Sequence, residues 1–327
     1  MRKSIVWVTV LILMATFITG CGPKKTEAPE EDIPTLQDLY DATVDSSDTL
    51  QLRDTLVYYT DEDCLVVPVM SRIPWEEGIA KATLSRMVES EGSLARAGSM
   101  GLKAPIPANT KIEINIKDAT AIVNLSKEIL TCKNAAEEQA MVTSIVNTLV
   151  EFPTIQQVKF MIDGKDAGTL PHGTDISKPM GKQMVNLEAA GIDTDLVTAD
   201  AVVVYYAGGD GDYLVPVTRL VNGPASIEAA AREWVKGPQT GKLKACLPEG
   251  CKLNEVTLRN GLATFDFSRE FNALSQNAAQ EKHALKALYL MCQAFDEVKS
   301  VLITVEGKEY IPADPTNLAA PTFANIE

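Results

Sequence analysis

An internal duplication constrains this chain more than any other feature of its sequence. Val57-Tyr58-Tyr59 recurs as Val204-Tyr205-Tyr206, and Val66-Val67-Pro68-Val69 recurs as Leu214-Val215-Pro216-Val217. Ala121-Ile122-Val123-Asn124-Leu125-Ser126 returns as Ala263-Thr264-Phe265-Asp266-Phe267-Ser268. From Glu138 to Lys165 the register runs without a gap onto Glu281 to Lys308, closing in Asp163-Gly164-Lys165 and Glu306-Gly307-Lys308. One order of segments kept over about 125 residues is a repeat, so the two halves must share one fold.

Each unit reads as two short β runs, a helix, a hairpin, a second helix and a last strand. In the second copy the first helix carries Ile227, Ala230, Ala231, Trp234 and Val235 at helical period. Ser226 is placed to cap it and Gly237-Pro238 to stop it. The first copy matches with Ile79, Ala80, Leu84, Met87 and Val88. Asn260-Gly261 is the favoured pair for a two-residue type I′ turn, joining Val256-Thr257-Leu258 to the strand at 263–267. There Ala263, Phe265 and Phe267 face one way, and Thr264 and Asp266 the other. The second helix carries Leu285, Leu288, Tyr289, Cys292 and Phe295, matched by Val142, Ile145, Val146, Leu149 and Phe152. The pattern predicts an α/β (α+β) sandwich, built twice: a small mixed sheet with two helices packed on one face. Trp75 and Trp234 fall on or beside the first helices and are expected in the core. Residues 51–180 form the first domain, 181–200 the connection and 201–327 the second. Each unit is large enough to be expected to fold alone.

The N-terminal segment points to export. Arg2 and Lys3 precede an apolar run from Ile5 to Ile18, shorter than the roughly 20 residues a spanning helix needs. The run ends in Ile18-Thr19-Gly20-Cys21, which resembles a bacterial lipobox. Residues 1–20 are therefore expected to be a signal peptide and Cys21 a lipidated mature N-terminus, tethering the chain to the extracytoplasmic face of the cell membrane. Residues 22–50 hold two lysines against eight acidic residues, with Pro23, Pro29 and Pro34, and read as an extended acidic stalk. A net charge of −14 argues against nucleic acid as a partner, because a phosphate backbone needs a positive surface.

Candidate chemistry is sparse. His283 lies on the second helix without a nearby orienting carboxylate, and His172 sits in a turn-rich tail beside Asp175; surface and turn roles explain them better than catalysis. Asp266-Phe267-Ser268 offers an acid and a hydroxyl, but its counterpart Asn124-Leu125-Ser126 lacks the acid, and both serines fall where hydroxyls cap backbone. Gly208-Gly209-Asp210-Gly211-Asp212 lacks the lysine of a phosphate loop and the closing glutamate of a calcium loop, so a tight hairpin is the stronger reading. Cys246 and Cys251 are spaced to close a small disulfide loop outside the cytoplasm, although the first copy carries no such pair. No set of residues has metal-ligand spacing, so no metal, cofactor or catalytic residue is expected.

These segments resemble the GerMN domain family. The resemblance rests on the Tyr-Tyr opening, the Leu-Val-Val-Pro-Val run, Leu247 to Val256, Asn260-Gly261, Ala263 to Ser268 and Val305 to Lys308, and covers about residues 52–327. The second copy is nearer the family pattern; the first departs at Asp118-Ala119 and at Asn124. The resemblance implies a non-enzymatic exported lipoprotein acting in sporulation and germination, with units similar to the ring-building modules of sporulation and secretion channels. Its implied partners are other sporulation envelope proteins in the space between mother cell and forespore. The alternatives are a binding lipoprotein for a wall fragment or small solute, marked by a deep aromatic cleft, and a wall hydrolase, which needs a carboxylate pair or a zinc triad.

Overall fold

The computed structural model describes residues 52–188, 199–209, 211 and 213–327, all within one compact unit. The segments expected to be a signal peptide and a stalk, Cys21 between them, residues 189–198 of the connection, and Asp210 and Asp212 lie outside the described residues.

Each copy begins with a hairpin: β1 (Leu52–Thr60) with β2 (Val66–Pro74), and β7 (Ala199–Gly208) with β8 (Tyr213–Asn222). A short helix follows, α1 (Ile79–Arg86) in the first copy and α4 (Ile227–Trp234) in the second. The first copy then inserts α2 (Glu91–Ala97), closed by a reciprocal capping box between Ser90 and Ser93. Next come the hairpin strands, β3 (Ile112–Lys117) with β4 (Thr120–Leu125), and β9 (Leu253–Arg259) with β10 (Leu262–Phe267). The long helices, α3 (Ala135–Val150) and α5 (Ala278–Cys292), are N-capped by Asn134 and Asn277. Each returns the chain to a strand parallel to the second hairpin strand, β5 (Gln157–Ile162) or β11 (Ser300–Val305). Two-residue strands, β6 (Lys165–Asp166) and β12 (Lys308–Glu309), complete sheets ordered β3-β4-β5-β6 and β9-β10-β11-β12.

The α/β sandwich and its duplication agree with the sequence reading. The layering adds one feature. The long helix packs on its sheet with one side and against the opening hairpin with the other, so Ala140 to Leu149 are buried all round. Tyr58 N–H donates to Thr148 Oγ1 at 3.0 Å across that contact. A helix sealed on both sides carries no single apolar stripe.

Trp234 is 1% exposed, donates from Nε1 to the Tyr205 carbonyl (2.9 Å) and meets Phe267 edge-on with centroids 6.4 Å apart. Trp75 corrects its expected core position: it is 58% exposed. Pro74 ends β2, Ile73 fills the core, and the Trp75 ring lies under the Arg53 guanidinium at 5.4 Å. Among the described residues no helix is long and apolar enough to cross a membrane.

Candidate functional site

The most elaborated polar site is a clasp between the two copies. It starts from a sequence problem. Pro68 and Pro216 stand at equivalent places on β2 and β8, which lie against each other, and proline brings no N–H to link them. Two asparagines supply the link. Asn186 Oδ1 accepts from Val66 N–H at 2.8 Å, while its Nδ2 donates to the carbonyls of Val66 (2.8 Å) and Pro216 (2.7 Å). Asn325 Oδ1 accepts from Leu214 N–H at 2.8 Å, while its Nδ2 donates to the carbonyls of Leu214 (2.8 Å) and Pro68 (2.9 Å). Each side chain thus holds its own copy's hairpin and reaches one carbonyl of the other.

The backbone around each asparagine is exchanged. Leu187 pairs in parallel with Thr218 of the second copy, and Ile326 with Met70 of the first. Glu188 N–H donates to Thr218 O (3.1 Å), and Glu327 N–H to Met70 O (2.9 Å). The glutamates finish the exchange. Glu188 pairs with Arg219, a side chain 1% exposed that also reaches Glu233 and the Gly237 carbonyl (2.8 Å). Glu327 lies 3.6 Å from Arg86 and 3.8 Å from Arg96. Asn186-Leu187-Glu188 and Asn325-Ile326-Glu327 are the sequence signal for this clasp, a repeat too short to stand out. The expected connection is therefore, through residue 188, a packed strap; Asn147 also pairs with Gln183 in both directions at 2.8 and 3.0 Å.

A second repeated device is a glutamate in the first turn of each long helix. Glu138 accepts from the N–H groups of His172 (2.8 Å) and Thr174 (2.9 Å). Burial opposes its charge, but these bonds outweigh burial and hold its carboxyl below the ordinary range. Glu281 accepts from Tyr310 Oη and from Ala313 N–H. Each glutamate pins the tail of its own copy.

The structure gives the candidate chemical residues separate duties. His172 Nε2 lies 2.6 Å from the Cys132 carbonyl, a turn contact. His283 lines a pocket of about 280 Å³ with Lys282, Lys286, Leu214, Tyr213 and Ile326. Asp266 Oδ1 accepts from Thr304 Oγ1 (2.6 Å) and Gly307 N–H (2.8 Å), fixing the β11–β12 turn; Asn124 accepts from Gly164 N–H at the same place. Ser268 Oγ accepts from Lys252 N–H (3.0 Å) and donates to Glu270 (2.6 Å). That hydrogen bond from Ser268, with Glu270's own N–H and the Arg269 guanidinium, holds the Glu270 carboxyl down at about 2, too weak a base to activate a hydroxyl. Gly208 is required because the Tyr213 ring fills the space of a side chain there, which supports the hairpin reading of that run.

The disulfide weighed between Cys246 and Cys251 is not formed. Both are free, buried thiols, and Cys246 Sγ donates to the Tyr205 carbonyl at 3.6 Å. Burial pushes Cys246 up to about 12 and Cys251 up to about 11, where thiols are poor nucleophiles. Among the described residues no three His, Cys, Asp or Glu side chains cluster as metal ligands.

Comparison with known proteins gives this geometry a family. The chain matches Germane, described as "Sporulation and spore germination", over residues 56–168 and 203–311. The chain belongs to the Germane family. It is 31% identical over 296 residues to the spore germination protein GerM of Bacillus subtilis (strain 168), covering 87% of this chain and 77% of that protein. The solved structure of the tandem GerMN domains of the sporulation protein GerM from Bacillus subtilis matches with a TM-score of 0.66 at 30% identity. It covers 84% of this chain and 99% of that one. Germane membership gives the chain a sporulation-related role, and the two Germane matches fall one on each copy of the duplication.

Proposed function

We propose that this chain is a non-enzymatic, lipid-tethered assembly module of sporulation and germination, working within an envelope-spanning channel complex between mother cell and forespore. The observation that carries the reading is likeness to a germination protein over 87% of the chain, in a molecule whose elaborated polar site is structural. Side chains that offer chemistry elsewhere are committed to turns, caps and tails. A clasp that fixes two modules in one orientation suits a protein that positions partners, since rigid presentation lowers the ordering cost of binding.

The test is a pull-down from sporulating cells with the wild-type chain and Cys21→Ala. The wild type is expected to recover envelope proteins from the membrane fraction, and Cys21→Ala to leave that fraction while staying folded. Unchanged membrane association of Cys21→Ala would remove the tether; a deletion strain with normal spores would remove the role. The second reading, a binding lipoprotein for a wall fragment or small solute, draws on the pocket at Lys282 and Lys286. Its lining has Tyr213 as its one aromatic, unlike the deep aromatic cleft such a function calls for.

A further inference from the structure

Both four-stranded sheets end on a long edge strand, β3 in the first copy and β9 in the second. Among the described residues, neither outer edge is bonded to another segment. The two strands carry one pattern: Glu113-Ile114-Asn115-Ile116-Lys117 and Glu255-Val256-Thr257-Leu258-Arg259. Each is acid, apolar, polar, apolar, base.

The turns fix which backbone groups are free. Lys117 faces Thr120 and Arg259 faces Leu262 across two-residue turns, so these are the closing hydrogen-bonded pairs. Alternation then points the backbone groups of Glu113, Asn115, Glu255 and Thr257 at the inner neighbours. Those of Ile114, Ile116, Val256 and Leu258 point to the open edge. Ile116 is 44% and Leu258 38% exposed, and Lys117, Glu255 and Arg259 make no ion pair among the described residues.

We propose that β3 of one molecule pairs antiparallel with β9 of a second copy of this chain. In that register Glu113 meets Arg259 and Lys117 meets Glu255. Ile114 meets Leu258, Ile116 meets Val256, and Asn115 meets Thr257. Free backbone groups face free backbone groups, apolar side chains share one face, and opposite charges sit at both ends. Charges on an edge strand commonly block pairing; here their order makes the two edges complementary. Because β3 and β9 are different surfaces, the contact is head-to-tail and each joined pair keeps one open β3 and one open β9, so molecules add in one direction into a ring or a filament. The inference rests on the assembly reading above and names this chain as one of its own partners.

The experiment uses the full chain purified in detergent at about 100 µM, since a contact this small is weak. Isotope-labelled and unlabelled chains are mixed and joined by a zero-length carbodiimide, which couples a lysine to a touching carboxylate. The expected product is an oligomer ladder with Lys117 linked to Glu255 between labelled and unlabelled chains. The double swap Glu113→Lys with Lys117→Glu puts like charges opposite both ends of β9 and should reduce the ladder about tenfold or more. Adding Glu255→Lys with Arg259→Glu should restore it. The swapped side chains are exposed, so an unchanged melting transition certifies the fold. The β3 swap leaves β3-to-β3 pairing complementary, so a ladder that survives it overturns the proposal. A chain that stays monomeric also overturns it. If envelope proteins are still captured from sporulating cells in either case, the assembly function stands and self-pairing alone falls.

Discussion

Asn186 and Asn325 each satisfy three backbone groups that no ladder reaches, and this makes them costly to replace. Asn325→Ala strands Leu214 N–H and the carbonyls of Leu214 and Pro68. Each buried group left unpaired costs about 1–3 kcal/mol, so with three stranded a loss of about 3 kcal/mol or more is expected in urea unfolding. Asn325→Asp keeps the shape but turns an acceptor toward two carbonyls, and should be no better. Trp234→Ala should cost about 3–5 kcal/mol, as for a buried aromatic; a loss below about 1 kcal/mol would contradict the packing against Phe267. The hydrogen-bonded carboxylates of buried Glu138 and half-buried Asp266 set the acid limit. Glu138 and Asp266 are opposed by burial, but hydrogen bonds hold both below the ordinary range. A carboxyl lowered on folding adds stability that is present above its unfolded value, about 4, and is lost as the pH falls through its folded value. Urea midpoints measured from pH 7 down should therefore fall most steeply below about pH 4. Glu138→Gln should lower the midpoint at pH 7 and flatten that decline.

At the scale of elements, the two hairpin turns make a controlled comparison. Asn260 and Gly261 have φ of 52° and 83°, while Asp118 and Ala119 reach 50° and 57°. Both turns are left-handed, but alanine has none of the freedom that glycine brings there. Ala119→Gly should raise stability by about 0.5–1 kcal/mol, read as a higher urea midpoint at unchanged slope; a neutral or negative result would mean the turn strain is relieved elsewhere. The same turn shows how much of the fold was legible. Asn260-Gly261 announces itself because few pairs accept that geometry, and α4 announces itself through Ser226 and a one-sided stripe ending at Trp234. The long helices were found, but burial on both sides widened their apolar face beyond the stripe. Helix α2 gave no signal: Gly92, Ser93 and Ala95 break the apolar period, and only the Ser90 cap marks its start. Trp75 misled for the opposite reason, since an aromatic beside a helix reads as core until Pro74 is seen to end the strand.

For the whole molecule, the duplication was plain in the sequence and the exchange between its copies was not. Faithful repeats establish that two units share a fold and say nothing of where each unit keeps its last strand. That information sits in Asn186-Leu187-Glu188 and Asn325-Ile326-Glu327, whose partners lie far away in the chain. The expectation that each unit folds alone therefore needs a condition. A first unit cut at residue 180 loses Asn186 from Val66 and has no 324–327 segment on β2. The decisive test removes residues 324–327 from the intact chain. These residues follow the second copy in sequence, yet they bond Met70 and lie beside Arg86 and Arg96 in the first. If the exchange couples the copies, hydrogen exchange should accelerate at the Met70 amide as strongly as at the Leu214 amide, which loses its Asn325 acceptor. The full chain should unfold in one transition, and the truncated chain should separate into two, with the copies no longer sharing a strand at that end. Acceleration confined to the second copy, with the single transition kept, would show that the tail caps its own unit and that β2 holds β8 without it.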